Sequence, residues 1–224
     1  MSVKQNLADI QQNIKQACKR SNRDPDEITI IGVTKYVTIE RTKEAVEAGV
    51  LHVGENRTDE FLNKYNQIDD ESVNWHFIGT LQSRKAREII HEVDMIHSLD
   101  RLSLARQINN RAEQPIDCFV QVNVSGEASK HGLAPEEVTS FIKELATYEK
   151  VRIVGLMTMA PHVEDEKTLR HVFKRLASLR DEIKAKNLSH APCKYLSMGM
   201  SNDYEIAIEE GATHIRIGSN LVGS

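Results

Sequence analysis

Three short stretches carry residue types that could do chemistry. The first is ITIIGVTKYVT at residues 28–38, an apolar run of strand composition that ends in Lys35 before any clear turn residue. The second is SMGMSND at 197–203, with Gly199 and Ser201 just ahead of a helical pattern. The third is RIGSN at 216–220, with Gly218 and Ser219 behind a strand-like run. Glycine lets a backbone approach a ligand closely, serine offers a hydroxyl donor, and backbone amides at a helix start favour an anion. The last two stretches together therefore read as an anion site, although each alone reads as turn chemistry. A strand-end lysine can snorkel to solvent or pair with a carboxylate. Desolvated beside an anion site, it is instead a nucleophile for a carbonyl. The combination describes a carbonyl ligand that bears a phosphate. Two chemistries meet that description. One is a Schiff-base sugar-phosphate aldolase. The other is binding of pyridoxal 5′-phosphate, held by the lysine at one end and by its phosphate at the other. The residues alone leave both open.

These positions need elements to bring them together. Strand-like runs fall at 28–34, 51–54, 75–78, 94–97, 117–124, 152–158, 194–198 and 213–217. Helical patterns lie between them at 39–48, 56–66, 82–91, 100–112, 135–146, 165–186 and 203–210. The 165–186 segment is the clearest, with Leu169, Val172, Phe173, Leu176, Leu179 and Ile183 at helical spacing on a charged background. Val3, Leu7, Ile10, Ile14 and Ala17 mark a further helix ahead of the first strand. Gly49 and Gly211 follow helices as C-terminal caps do, and Asn202 with Glu205 has the spacing of a capping box. Eight strands alternating with helices predict an α/β fold, a parallel (β/α)8 TIM barrel with an extra N-terminal helix. An open doubly wound sheet is the alternative, but it usually has fewer strands, and the GxGxxG dinucleotide fingerprint is absent. Barrels place their sites at the C-terminal strand ends and often bind phosphate near strands 7 and 8. Ser201, Gly218 and Ser219 fall there, facing the Lys35 strand across a closing barrel.

Composition narrows the setting. The 224 residues are read as one domain, 1–224, large enough to bury roughly 70% of the unfolded surface. Cys18, Cys118 and Cys193 are far apart and have no CxxC spacing, which points to reduced thiols and not to a disulfide framework or a metal site. No apolar leader and no membrane-length apolar run is visible, so the expected location is the cytoplasm and no membrane partner is expected. The net charge of −4 argues against nucleic acid as a partner.

Other residues are weaker candidates. His76 and His97 titrate in the useful range, but a hydrogen-bonded structural histidine is the commoner case. Lys130, in SKHG, is a rival carbonyl target on a loop, where a solvated amine with an ordinary pKa is expected. Asn56 and Arg57 follow strand 2 and either contact the ligand, line the mouth or cap a helix. Met157, Met159, Met198 and Met200 read as core, with one of each pair free to pack on a ring. Asp100 and Arg101 read as a helix cap and a solvated face.

The chain resembles the pyridoxal phosphate homeostasis proteins. The resemblance is carried by GVTKY around Lys35, HVGENR at 52–57, WHFIGTLQSRK at 75–85, VQVNVSGEASKHG at 120–132, GLMTMAP at 155–161 and LSMGMSNDYEIAIEEGATHIRIGSNLVG at 196–223. It implies a fold similar to the barrel domain of alanine racemase (fold type III-like) without the racemase's second β-domain. It implies pyridoxal 5′-phosphate as cofactor, held as a Schiff base on Lys35. The phosphate would lie on Ser201, Gly218 and Ser219, with Arg216 near the pyridine nitrogen and Asn56 at the ring or mouth. Arginine has no acceptor for a ring proton, so the ring would be a weaker electron sink than one paired with aspartate. The implied role is intracellular vitamin B6 homeostasis without an established catalytic reaction. It involves holding or delivering the cofactor, with pyridoxal-phosphate-dependent apo-enzymes as candidate recipients. A racemase and an aldolase are the enzymatic rivals. Without the second domain, a monomer is expected. The sequence departs from the family pattern at Thr80, where histidine is common, and at Val222, where phenylalanine is expected. It also ends at Ser224 without a basic tail. Thr80 is expected at the pocket rim and the ending at the barrel's bottom or edge.

Overall fold

In a computed structural model describing residues 2–223, eight parallel strands close into a barrel in sequence order. They are β1 (Thr29–Val33), β2 (His52–Glu55), β3 (Asn74–Phe77), β4 (Met95–Leu99), β5 (Ile116–Gln121), β6 (Val151–Met157), β7 (Tyr195–Met200) and β8 (His214–Ile217). Closure is made by β8 pairing with β1, with Thr29 opposite His214 and Ile31 opposite Arg216. All eight sequence-predicted strands are present, each within a few residues of its expected bounds. The helices are α1 (Val3–Ser21), α2 (Ile39–Glu47), α3 (Thr58–Gln67), α4 (Ala86–Ile89), α5 (Leu102–Arg111), α6 (Val138–Glu144), α7 (Glu166–Lys184), α8 (Tyr204–Glu209) and α9 (Ser219–Val222).

The N-terminal helix has a structural role in the outer ring. The helix after β8 is a single turn, α9, and leaves a gap between α8 and α2. α1 fills it, packing on α8, α9 and α2. Its buried face is the predicted one, Val3, Leu7, Ile10, Ile14 and Ala17, with Cys18. Each large side chain there is worth about 1.5–3 kcal/mol of burial. Ser2 caps its start, accepting from the Gln5 amide at 3.3 Å. Asn13 Nδ2 donates to Tyr204 Oη at 2.9 Å, and Asn6 Nδ2 donates to the Leu221 carbonyl at 2.9 Å.

The main core lies between strands and helices and includes the predicted α7 face. Cys18, Cys118 and Cys193 are buried in it and unpaired, and burial pushes the Cys193 thiol up to about 12. Inside the barrel a smaller cluster of Phe119, Val154 and Met157 shares the space with polar side chains. Gly49 and Gly211 both take φ of 104° just past α2 and α8, as helix-ending glycines do. Among the described residues no helix is long and apolar enough to cross a membrane.

Two cap expectations fail. The N-cap of α8 is Asp203, not Asn202. Its Oδ1 turns back to accept from the Met200 amide at 2.6 Å, and Glu205 pairs with Arg20 of α1 at 2.9 Å. The turn between β7 and α8 outcompetes the capping box. Asp100 likewise does not cap α5; it pairs with Arg101 at 2.5 Å, and Arg101 also donates to the Leu81 carbonyl. Val222 is buried on α9, beyond the C-terminal end of β8, so this departure lies at the edge of the barrel's mouth and not at its bottom. Ser224 lies outside the described residues.

Candidate functional site

The C-terminal strand ends surround a cavity of about 1180 Å³. Lys35, Asn56, Ser201, Arg216, Gly218 and Ser219, the six positions singled out from the sequence, all line it. Val33, Ile78, Met159 and Met200 add apolar wall, and Thr80 stands at the rim. Met159, just past β6, and Met200, at the end of β7, thus line the cavity, while Met157 and Met198 are buried.

Lys35 sits in a turn in which the Val37 amide donates to the Thr34 carbonyl at 3.2 Å. Tyr36 takes φ of 70° there, a left-handed conformation unusual for an aromatic residue and of the kind concentrated at functional sites. Tyr36 is 80% exposed, and the Lys35 ammonium lies 5.5 Å from the centroid of its ring. The expectation of a desolvated Lys35 is therefore corrected: the amine is exposed at the open mouth. The turn carries it past the strand end, where the wall no longer shields it.

Beneath this turn lies a buried pair invisible to pattern reading. Lys64 of α3 donates to the Thr34 carbonyl at 2.5 Å and to Glu55 Oε1 at 2.7 Å. Thr34 Oγ1 donates to the same carboxylate oxygen at 2.5 Å. Both charged side chains are essentially inaccessible. The triad ties the ends of β1 and β2 to α3 and so fixes where Lys35 begins. One lysine on an otherwise apolar α3 face, with Phe61 and Ile68 a turn away, was the only sequence signal.

The opposite wall is built by β7 and β8. Ser201 Oγ accepts from the Gly218 amide at 3.3 Å, which leaves its own proton for a ligand. Asn220 Nδ2 donates to the Ser201 carbonyl at 2.8 Å and joins the two strand ends. Gly199 must be glycine: its φ is 93°, and a Cβ would stand 2.6 Å from that of Ala207. Gly79 is equally constrained, since a Cβ would meet the Asn56 carbonyl at 2.3 Å; this contact presses the strand 2 loop onto the cavity wall. Asn56 lines the cavity and does not cap α3, whose N-cap is Arg57 without a side-chain bond.

Arg216 forms the floor. Its guanidinium is buried, donating to Ser197 Oγ at 2.6 Å and to the Thr158 carbonyl at 2.9 Å. Burial pulls it down to about 10, still cationic at neutral pH. Those bonds use two of its five N–H donors. Asp203 is its carboxylate neighbour, raised by its own burial and lowered by the Met200 amide and Arg216.

The remaining candidates lie elsewhere. His76 and His97 are fully buried inside the barrel and do not line the cavity; burial holds both well below the usual imidazole range. Lys130 is not freely solvated. Its side chain is 19% exposed, 3.2 Å from Glu127 Oε1 and 3.4 Å from the Met159 carbonyl.

A parallel barrel with an amine at its mouth, an arginine floor and a serine–glycine wall defines a class, and the chain matches the family profile "Alanine racemase, N-terminal domain" over residues 5–224. Within that class it belongs to the pyridoxal phosphate homeostasis protein family. It is 39% identical over 226 aligned positions to the pyridoxal phosphate homeostasis protein of Aquifex aeolicus, covering 100% of this chain and 98% of that one. PipY of Synechococcus elongatus, solved with pyridoxal phosphate bound, superposes with a TM-score of 0.85 at 30% identity, over 99% of this chain and 100% of PipY. Alanine racemase of Clostridium difficile shares the fold, at 17% identity and a TM-score of 0.77, with this chain spanning 58% of it.

Proposed function

We propose that this protein binds pyridoxal 5′-phosphate in the barrel-mouth cavity and serves its intracellular homeostasis without catalytic turnover. The observation that carries the reading is the placement of Lys35, Arg216 and the Ser201–Gly218–Ser219 wall around one cavity, in a chain similar over its length to a relative solved with that cofactor. The donor set fits the group. A primary amine suits its aldehyde, hydroxyl and amide donors suit its phosphate, and Arg216 offers a donor to a ring nitrogen. When bound, the group supplies a reactive aldehyde. Lys35 holds it covalently as a Schiff base, formed with loss of one water, and Asn56 borders the ring.

Exposure of Lys35 at the mouth supports a carrier: an amine in contact with water can release its cargo by hydrolysis or exchange. The recipients are pyridoxal-phosphate-dependent apo-enzymes. The protein acts as a monomer in the cytoplasm, a compartment whose reducing conditions suit three unpaired cysteines.

The test is the absorbance spectrum of wild type and Lys35→Ala with added pyridoxal phosphate, before and after borohydride. A visible band that borohydride converts into a stable adduct on Lys35, absent in the variant, is the expected outcome. An unlabelled wild-type Lys35 refutes covalent holding. Turnover in a racemisation assay with several amino acids, lost in Lys35→Ala, would replace the carrier with an enzyme.

A further inference from the structure

Barrel interiors are usually filled by branched apolar side chains. This one holds a line of histidines. His52 opens β2 at the N-terminal face of the barrel and is half-buried. Its Nδ1 lies 2.9 Å from His76 Nε2 on β3. His76 Nδ1 lies 2.9 Å from His97 Nε2 on β4. His97 Nδ1 lies 2.9 Å from Ser197 Oγ on β7, which also accepts from Arg216 at 2.6 Å. Phe119 stacks on His97 at 4.3 Å between centroids and keeps the ring in place.

The direction of every bond in this line is forced. Arginine only donates. Ser197 Oγ accepts from it, and among the described residues the serine proton has one remaining partner, His97 Nδ1. Were His97 to donate from Nδ1 instead, the buried hydroxyl proton would have no acceptor, a costly state. His97 must then carry its proton on Nε2 and donate to His76 Nδ1. His76 in turn donates from Nε2 to His52 Nδ1, and His52 keeps its proton on Nε2. A charged imidazole anywhere in the line would place two donors face to face.

We infer that Ser197, His97, His76 and His52 form a one-way hydrogen-bond relay that positions Arg216 as a fixed donor in the ligand cavity and runs from there to the opposite face of the barrel. The four are positioning residues; Arg216 alone meets the ligand. The role of Arg216 toward pyridoxal phosphate rests on the function proposed above, whereas the relay is a property of the ligand-free chain. Bonds of one polarity strengthen one another, so the whole line stiffens the guanidinium.

The experiment is long-range 1H–15N spectroscopy on histidine-labelled ligand-free protein at neutral pH. The expected result is that His52, His76 and His97 are all neutral with the proton on Nε2. Any one of them protonated on Nδ1, or charged, overturns the relay, and no variant is needed to see it. Ser197→Ala is expected to release His97 from its single tautomer, to shift the His52 signal, and to weaken pyridoxal phosphate about tenfold. Ser197→Thr, which keeps the hydroxyl, should restore all three. Unchanged His97 and His52 signals in Ser197→Ala would also overturn it. If pyridoxal phosphate does not bind wild type at all, the cofactor reading falls, while the tautomers still judge the relay.

Discussion

Lys64 and Lys35 are two lysines put to opposite uses within one short segment of fold. Lys35 is exposed and chemically available, whereas Lys64 is sealed against Glu55 beneath the same turn. Glu55 Oε2 has no hydrogen-bond partner among the described residues, so the carboxylate depends on Lys64 and Thr34 for its compensation. Replacing one member of a buried pair leaves the other charge stranded, at a cost of about 3–5 kcal/mol. Lys64→Met is therefore expected to lower urea-unfolding stability by about that amount, with Lys64→Met/Glu55→Leu recovering much of it. A single variant within about 0.5 kcal/mol of wild type would show that the pair is not fixing the strand ends. The Lys35 side of the comparison was legible because an ammonium after an apolar strand is conspicuous. The Lys64 side was not, because nothing local says which way a helix lysine turns.

The wall made by β7, α8 and β8 depends on one turn. Gly199 combines a φ of 93° with a helix packed directly against it. Gly199→Ala must either move α8 or distort the turn, with an expected loss of about 1–3 kcal/mol. Ser201 follows two residues later, so binding of inorganic phosphate should weaken along with stability. Calorimetric phosphate titration of the variant checks this, and wild-type affinity would separate the turn from the anion wall. The strands and the longer helices were read close to their bounds, but the helix expected over 82–91 is a 3-10 turn at Ser83–Lys85 followed by the single turn α4. α9, at four residues, is too short for one, and the α8 cap was misassigned because Asp203 found a closer partner in the Met200 amide.

Across the whole molecule, the barrel's buried imidazoles make stability depend on pH. Burial holds His76 and His97 well below the usual range and His214 at about 3. The unfolded chain takes up these protons near pH 6.5, whereas the folded one resists them. Stability is therefore fully present above about pH 6.5 and is lost as pH falls toward the folded values, by up to about 1.4 kcal/mol per pH unit for each group. Urea midpoints should fall between about pH 7.5 and 5.5. A flat profile would mean that the interior histidines are charged or solvated in the folded state.

The sequence by itself determined the order and kind of the elements, since strand and helix periods are local. It also determined which residue types stand at the strand ends, and so which ligand chemistry was open. Only the tertiary structure decided where those side chains finish. Closure of the barrel sets β8 against β1, and it brings His97 to Ser197 across 100 residues of chain. The turn after β1 leaves Lys35 in water. These outcomes depend on strand register and on competition among polar groups for partners. Both are set by contacts between segments far apart in the chain, and spacing along the sequence carries no record of them.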